Sequence, residues 1–437
     1  MNRLLTKIET GLATQWQAWH AIRRQYDADR IDKVRDIRLR SLIRYCSRNV
    51  KYYKEAFAQA GVDPGRIKTA SDLHHLPFLT KNELRERFWD FLPPDLPPCR
   101  VSRTSGSTGI PVCILSDSRS RCLNSAAVIR SRRALGIPLI GRPILTALNT
   151  KDEPARDPHW TYVQGIHKTY YVNPHVDSRQ NTQHIEQIVT RLRRPVLTGI
   201  TPALRVFANK IKDGILPSFK PSVIMTGGET LDPSVRELLE SVFVARVSDL
   251  YACHEARDVA WQCRQGSGYH INADNVIVEI IREGQSVPSG EVGEVVITDL
   301  NRYAMPIIRY RIGDLARLTN EPCPCGCKLP MIAEILGRSG QDIFLPDGKR
   351  VAWNQLKSLM THQMIRQFQL VQQSDGSLAI RYVPDNGADS GQIEALLLRR
   401  FRGLIGESIE IIFERTDSIP PAPSGKSKLV VSHYKPT

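Results

Sequence analysis

The stretch Thr104-Ser-Gly-Ser-Thr-Gly-Ile-Pro111 packs four hydroxyls and two glycines into eight residues. Glycine lets a backbone approach an anion closely, and free N–H groups with hydroxyls can wrap phosphate oxygens. The same residues would also suit a plain surface loop, so the loop is read through what surrounds it. Downstream, short β-branched runs stand at Pro143–Leu148, Ser222–Thr226, Asn275–Ile281 and Gly293–Thr298. Helical patterns such as Asp232–Phe243 lie between several of them. Strands alternating with helices predict an α/β sheet fed by this loop.

Upstream the first hundred residues read as helical, with apolar positions at helical spacing over Ile31–Val50 and a second candidate at Lys81–Trp89. The proline-rich connector Phe91–Pro98 interrupts them. The last hundred residues form a separate α+β pattern. Strands are expected at Gln367–Gln373 and Leu378–Val383 around the turn Ser374-Asp375-Gly376, a helix at Ile393–Phe401 and a strand at Ser408–Glu414. The junction falls in Leu336-Gly-Arg-Ser-Gly-Gln-Asp342. Two domains follow, residues 1–337 and 343–437, which suits a chain of 437 residues.

Hydrophobic residues make up 41% and charged residues 24%, which excludes disorder or a fibrous repeat as the main theme. Apolar runs such as Val295-Val296-Ile297 and Ala395-Leu396-Leu397-Leu398 are too short for a membrane span. The N-terminal stretch lacks the continuous apolar core of a signal peptide, so a cytoplasmic location is expected. The net charge of +15 favours anionic partners: nucleotides, coenzyme A, nucleic acid or acidic membrane.

Three more segments carry chemistry. Gly425-Lys426-Ser427 mimics the end of a Walker A loop, but Pro420 stands where that motif needs glycine, so a P-loop NTPase is excluded. Ile308-Arg-Tyr-Arg-Ile-Gly-Asp-Leu315 could offer Asp314 to ribose hydroxyls, or be a hairpin turn. Cys323-Pro-Cys-Gly-Cys327 is dense in thiols, with Cys263 and His270 about sixty residues earlier. Thiolate and imidazole are tetrahedral Zn²⁺ ligands, while reduced thiols in a loop are the plain alternative.

In order along the chain, from Arg44-Tyr-Cys-Ser-Arg-Asn-Val-Lys-Tyr-Tyr53 to Lys426, these segments resemble the adenylate-forming superfamily. The phenylacetate-CoA ligase branch, with its capsular-polysaccharide relatives, is the nearest part of it. The resemblance implies a large N-terminal α/β body with the adenylate-forming fold and a small mobile α+β C-terminal lid. It implies adenylation of a carboxylic acid, aromatic by default, to acyl-AMP, followed by transfer to coenzyme A. A carrier-protein thiol, an amine, or AMP transfer to a hydroxyl compound are the alternative outcomes within this enzyme class.

The resemblance assigns residues as well. Thr104, Ser105, Gly106, Ser107, Thr108 and Gly109 would grip the ATP phosphates. Gly227, Gly228 and Glu229 would stand beside adenine, and Tyr251 would stack on it. Glu255 would bind Mg²⁺, Asp314 the ribose, and Arg338 the nucleotide. Asp342 would be the hinge, and Lys426 would bridge the carboxylate and the α-phosphate. His254 stands where the family has a small hydroxyl residue, and Asp342 lies one residue further from Arg338 than usual. The branch also implies a structural zinc, matched by Cys263, His270, Cys323 and Cys325, with Cys327 or Cys253 as substitutes.

A basic zinc-containing nucleic-acid-binding protein would also fit the charge and the cysteines. It leaves the ordered nucleotide motifs without a role, and 7% aromatic residues provide no stacking platform.

Overall fold

A computed structural model describes residues 2–103, 112–149, 157–161, 166–229, 231–266, 268–338, 343–351, 353–360, 362, 364–385, 387–420 and 429–434. The chain forms two compact units. The first takes in Met1–Gly228, Leu239–Ile312 and Ala316–Ile335, and the second Glu229–Leu238, Gly313–Leu315 and Leu336–Thr437.

The first unit is organised on a sheet with thirteen strands among the described residues. Five neighbouring strands run parallel: His167–Val172, Ile144–Ala147, Val196–Thr198, Val223–Gly227 and Val247–Cys253. Their inward runs, such as Val223-Ile-Met-Thr226, are buried throughout, as parallel strands covered on both faces require. Helices Arg179–Arg191, Thr201–Lys212 and Pro233–Phe243 connect them. A second half is antiparallel, with Val247–Cys253 turning back into Arg257–Trp261, which pairs with Tyr269–Ile271 and so leads to Met331–Arg338. The predicted strands and the helix ending at Phe243 all form, with ends shifted by a few residues.

At the N-terminal end the helix Ala28–Asn49 starts at Asp27, whose side chain accepts from the Arg30 N–H. It buries Ile31, Leu39, Leu42, Ile43 and Cys46. The second expected helix is short. A capping box of Thr80 and Glu83 starts Lys81–Glu86, and the chain then tightens into a 3₁₀ turn at Phe88–Phe91.

Asp274 anchors the N-terminal helices to the sheet. It accepts from Arg130 at 2.9 Å and from Arg24, while Arg38 donates to its backbone oxygen. Arg130 and Asp274 are almost fully excluded from solvent, so each needs the other's charge.

The second unit has a four-stranded sheet in the order Ile411–Arg415, Leu378–Pro384, Ile365–Gln372, Val430–Ser432. The helix Ser390–Ile405 buries Ile393, Leu397, Phe401 and Ile405 into the core that this sheet shares with Leu370, Ile380 and Tyr382. This is the α+β pattern expected of the last hundred residues.

Candidate active site and metal centre

Parallel strands present their C-terminal ends on one side of a sheet, and that is where open α/β sheets bind ligands. In the first unit those ends line a cleft of about 360 Å³. Thr146 to Asn149 come from the end of one strand and the residues after it, Thr198 to Ile200 from the next, and Met225 to Gly228 from the third, with Leu250, Ala252 and Asp258 completing the wall. Glycine at 227 is dictated by space, because a Cβ there would sit 2.7 Å from the Leu250 carbonyl oxygen. Gly228 takes a left-handed φ of 83°, which a side chain would disfavour. Both glycines were expected at a strand end, and both lie there.

Tyr251 lies on the strand Val247–Cys253 with only 8% of its surface exposed. His254 and Glu255 occupy the turn that follows. The Glu255 carboxylate is buried, and the Tyr310 hydroxyl donates to its Oε1 at 3.0 Å. That hydrogen bond fixes the carboxylate of the residue expected to hold Mg²⁺.

In the second unit Arg338 and Asp314 form an ion pair at 3.3 Å, which brings together the expected nucleotide arginine and ribose carboxylate. Glu229 also belongs to this unit. Thr104 to Gly109, Asp342 and Lys426 lie outside the described residues.

Sequence reasoning missed Asp258. It pairs in register with Ala252, and strand register alone carries it to the cleft wall. Burial pushes its carboxyl up to about 6, opposed by the charges of Arg132 and Arg257. Its position three residues after Glu255 was the only sequence signal.

The metal-ligand candidates converge. The strand Tyr269–Ile271 lies between Arg257–Trp261 and Met331–Arg338, with His270 opposite both Trp261 and Met331. Cys263 leaves the first of these neighbours, and the Cys323–Cys327 turn precedes the second. One donor atom from each of Cys263, His270, Cys323 and Cys325 lies within 4.8 Å of all the others. The Cys263 and Cys323 sulfurs are 3.6 Å apart, and Cys325 Sγ is 3.4 Å from His270 Nε2. A tetrahedron with Zn–S near 2.3 Å and Zn–N near 2.05 Å has edges of about 3.8 and 3.5 Å. The donor set therefore fits zinc in both chemistry and size. Cys327 and Cys253 are not part of the quartet. Burial lowers the His270 pKa to about 4, so its imidazole is neutral and able to ligate.

Comparison with known proteins finds CoA ligases among those the chain resembles. Residues 343–433 match the family described as the CapK C-terminal domain. A phenylacetate-coenzyme A ligase from Aromatoleum evansii is 28% identical over 439 residues, covering 92% of this chain and 94% of the relative. Protein CapK from Staphylococcus aureus is 22% identical over 429 residues, covering 95% and 92%. The crystal structure of 2-hydroxyisobutyryl-CoA ligase with 2-HIB-AMP, in the postadenylation state, superposes with a TM-score of 0.76 at 19% identity, covering 93% of this chain and 90% of that one. The fold is that of the adenylate-forming CoA ligases.

Proposed function

We propose that this chain is an ATP-dependent, AMP-forming acid ligase that activates a carboxylic acid as acyl-AMP and transfers the acyl group to coenzyme A. The observation that carries the reading is the cleft at the ends of the parallel strands, lined by Gly227 and Gly228, with the buried Glu255 carboxylate held by Tyr310 in the same unit. The relatives named phenylacetate-coenzyme A ligase support it, and they make aryl acids the first substrates to test.

In this reading each residue meets a definite need. A carboxylate attacking ATP must overcome the repulsion of two anions. Lys426 lowers it by placing an ammonium between the acid and the α-phosphate, where charge develops in the transition state. The loop Thr104–Gly109 holds the phosphates with backbone N–H groups and hydroxyls, so their geometry is set before reaction. Asp314 accepts from the ribose hydroxyls, and Arg338 stands against it. Glu255 holds Mg²⁺, which when bound neutralises phosphate charge. Lys426 then has to give way to the thiol of coenzyme A, so the segment 343–437 acts as a lid turning about Asp342. Cys263, His270, Cys323 and Cys325 hold a structural zinc with no open position. The enzyme acts in the cytoplasm, where ATP and coenzyme A are both at hand. No helix among the described residues is long and apolar enough to cross a membrane.

Release of pyrophosphate that depends on an acid, followed by thioester formation that depends on coenzyme A, tests this reading. The screen should span aryl, fatty and amino acids. No acid-dependent pyrophosphate release from any of them would refute it. Acyl-AMP without thioester would point to a carrier-protein, amine or hydroxyl acceptor instead.

A further inference from the structure

We infer that Asp258 selects the acid: the cleft is built for a carboxylic acid that carries a hydrogen-bond donor, hydroxyl or amino, away from its carboxylate. This rests on the adenylation reading above and names the substrate class of that same site.

A pocket for a bare aryl ring is lined mainly by apolar and aromatic side chains. Among the described residues, no aromatic side chain lines this cleft. Leu148, Ile200, Met225 and Leu250 share it with Thr146, Asn149, Thr198, Thr226 and Asp258. Thr226 is already engaged, since its Oγ1 and that of Thr201 are 3.0 Å apart.

Asp258 is different. Asn272 donates to its backbone oxygen at 2.7 Å, but no hydrogen bond reaches its carboxylate from the described residues. Its charge is balanced at longer range by Arg132 and Arg257, which oppose the effect of burial. Asp258 is thus a half-buried acceptor in the cleft wall. A ligand that fills the cleft strips this carboxylate of water, and leaving it desolvated and unpaired is then costly. A ligand with a donor relieves that cost, and a ligand with only a phenyl ring in the same place adds to it. Discrimination of this kind is worth about ten- to a hundredfold in kcat/KM.

The competing role is purely structural, with Asp258 acting as counter-charge to Arg132 and Arg257. The two roles separate in substrate preference. ATP–pyrophosphate exchange would be measured with phenylacetate, its ring-hydroxylated and ring-aminated forms, and short acids with and without a 2-hydroxyl or 2-amino group. The wild-type protein is expected to favour a donor-bearing acid over its bare counterpart by at least about tenfold. Asp258→Leu should bring that ratio to within about twofold and leave the KM for ATP unchanged, whereas a raised KM for ATP with the ratio intact would put adenine's amine against Asp258 and overturn the inference. Asp258→Ala, which also removes the acceptor, provides the same comparison if the leucine variant does not fold. Equal use of bare and donor-bearing acids by the wild type would overturn the inference while leaving the adenylation reading intact. So would a uniform loss across all acids in the variants. Exchange with none of the acids would instead refute the adenylation reading, and the inference with it.

Discussion

The Tyr310 hydroxyl donates to Glu255 Oε1 at 3.0 Å inside the first unit, across 55 residues of sequence. Tyr310 begins the strand that also carries Asp314. One strand therefore supplies both the group that orients the proposed magnesium ligand and the proposed ribose acceptor.

Tyr310→Phe removes that one hydrogen bond and keeps the ring. A hydrogen bond to a charged group is worth about 1.5–3 kcal/mol, so adenylation should fall about tenfold or more, with a higher Mg²⁺ requirement. Glu255→Gln should cost far more, on the order of a hundredfold or beyond. Magnesium titrations of pyrophosphate release check both. A Tyr310→Phe variant with unchanged Mg²⁺ dependence would remove the positioning role.

Asp314→Ala should weaken ATP binding by about 1.5–3 kcal/mol, because two ribose hydroxyls lose an ionised acceptor. Calorimetry with ATP measures it directly. Arg338→Ala, which removes the ion pair with Asp314, should weaken ATP binding less. The reverse order would assign the ribose contact elsewhere.

Lys426→Ala should lower adenylation by a hundredfold or more, about 3–4 kcal/mol of transition-state stabilisation, while ATP still binds. Thioester formation from a supplied acyl-adenylate should survive, since the lysine has given way by then. Equal losses in both half-reactions would contradict the lid reading.

Cys325→Ser removes one corner of the quartet and should reduce bound zinc and thermal stability together. Activity at low temperature should follow metal content. Elemental analysis with thermal melts checks this. Protein prepared without chelator that holds less than about a tenth of an equivalent of zinc would identify these residues as ordinary thiols. Cys327→Ser, outside the quartet, should leave the zinc content unchanged.

Acid should release the anchor at Asp274. Burial alone would raise its carboxyl pKa, but Arg130, Arg24 and Arg38 hold it well below the usual carboxylate range. A depressed pKa stabilises the fold fully above the unfolded value of about 3.9, and this stabilisation is lost as pH falls toward the folded value. Urea unfolding should therefore weaken steeply below about pH 4, and Asp274→Asn should flatten that slope. The variant should also cost about 3–5 kcal/mol at pH 7, because Arg130 is left buried without its partner. An unaltered slope would exclude Asp274 as the acid-sensitive group.

Local structure was largely legible along the chain. The β-branched runs at Ser222–Thr226, Asn275–Ile281 and Gly293–Thr298 are strands, and the helical spacing ending at Phe243 is a helix. The order of the motifs resembled that of the adenylate-forming enzymes, and that resemblance supplied both the ligase expectation and the four metal-ligand positions. Long-range pairing decided the rest. Cys325 rather than Cys327 joins His270 because the turn after Cys323 and the register of Tyr269–Ile271 direct one sulfur to the imidazole. Asp258 reaches the cleft wall because it pairs with Ala252, and in a strand a shift of one residue would have turned its carboxylate to the opposite face. Glu255 meets Tyr310 only when a turn and a strand 55 residues apart are packed into one core. A sequence records which side chains are available and how often they recur. Which of them face one another depends on register between distant strands, and the buried surface of the whole sheet sets that register.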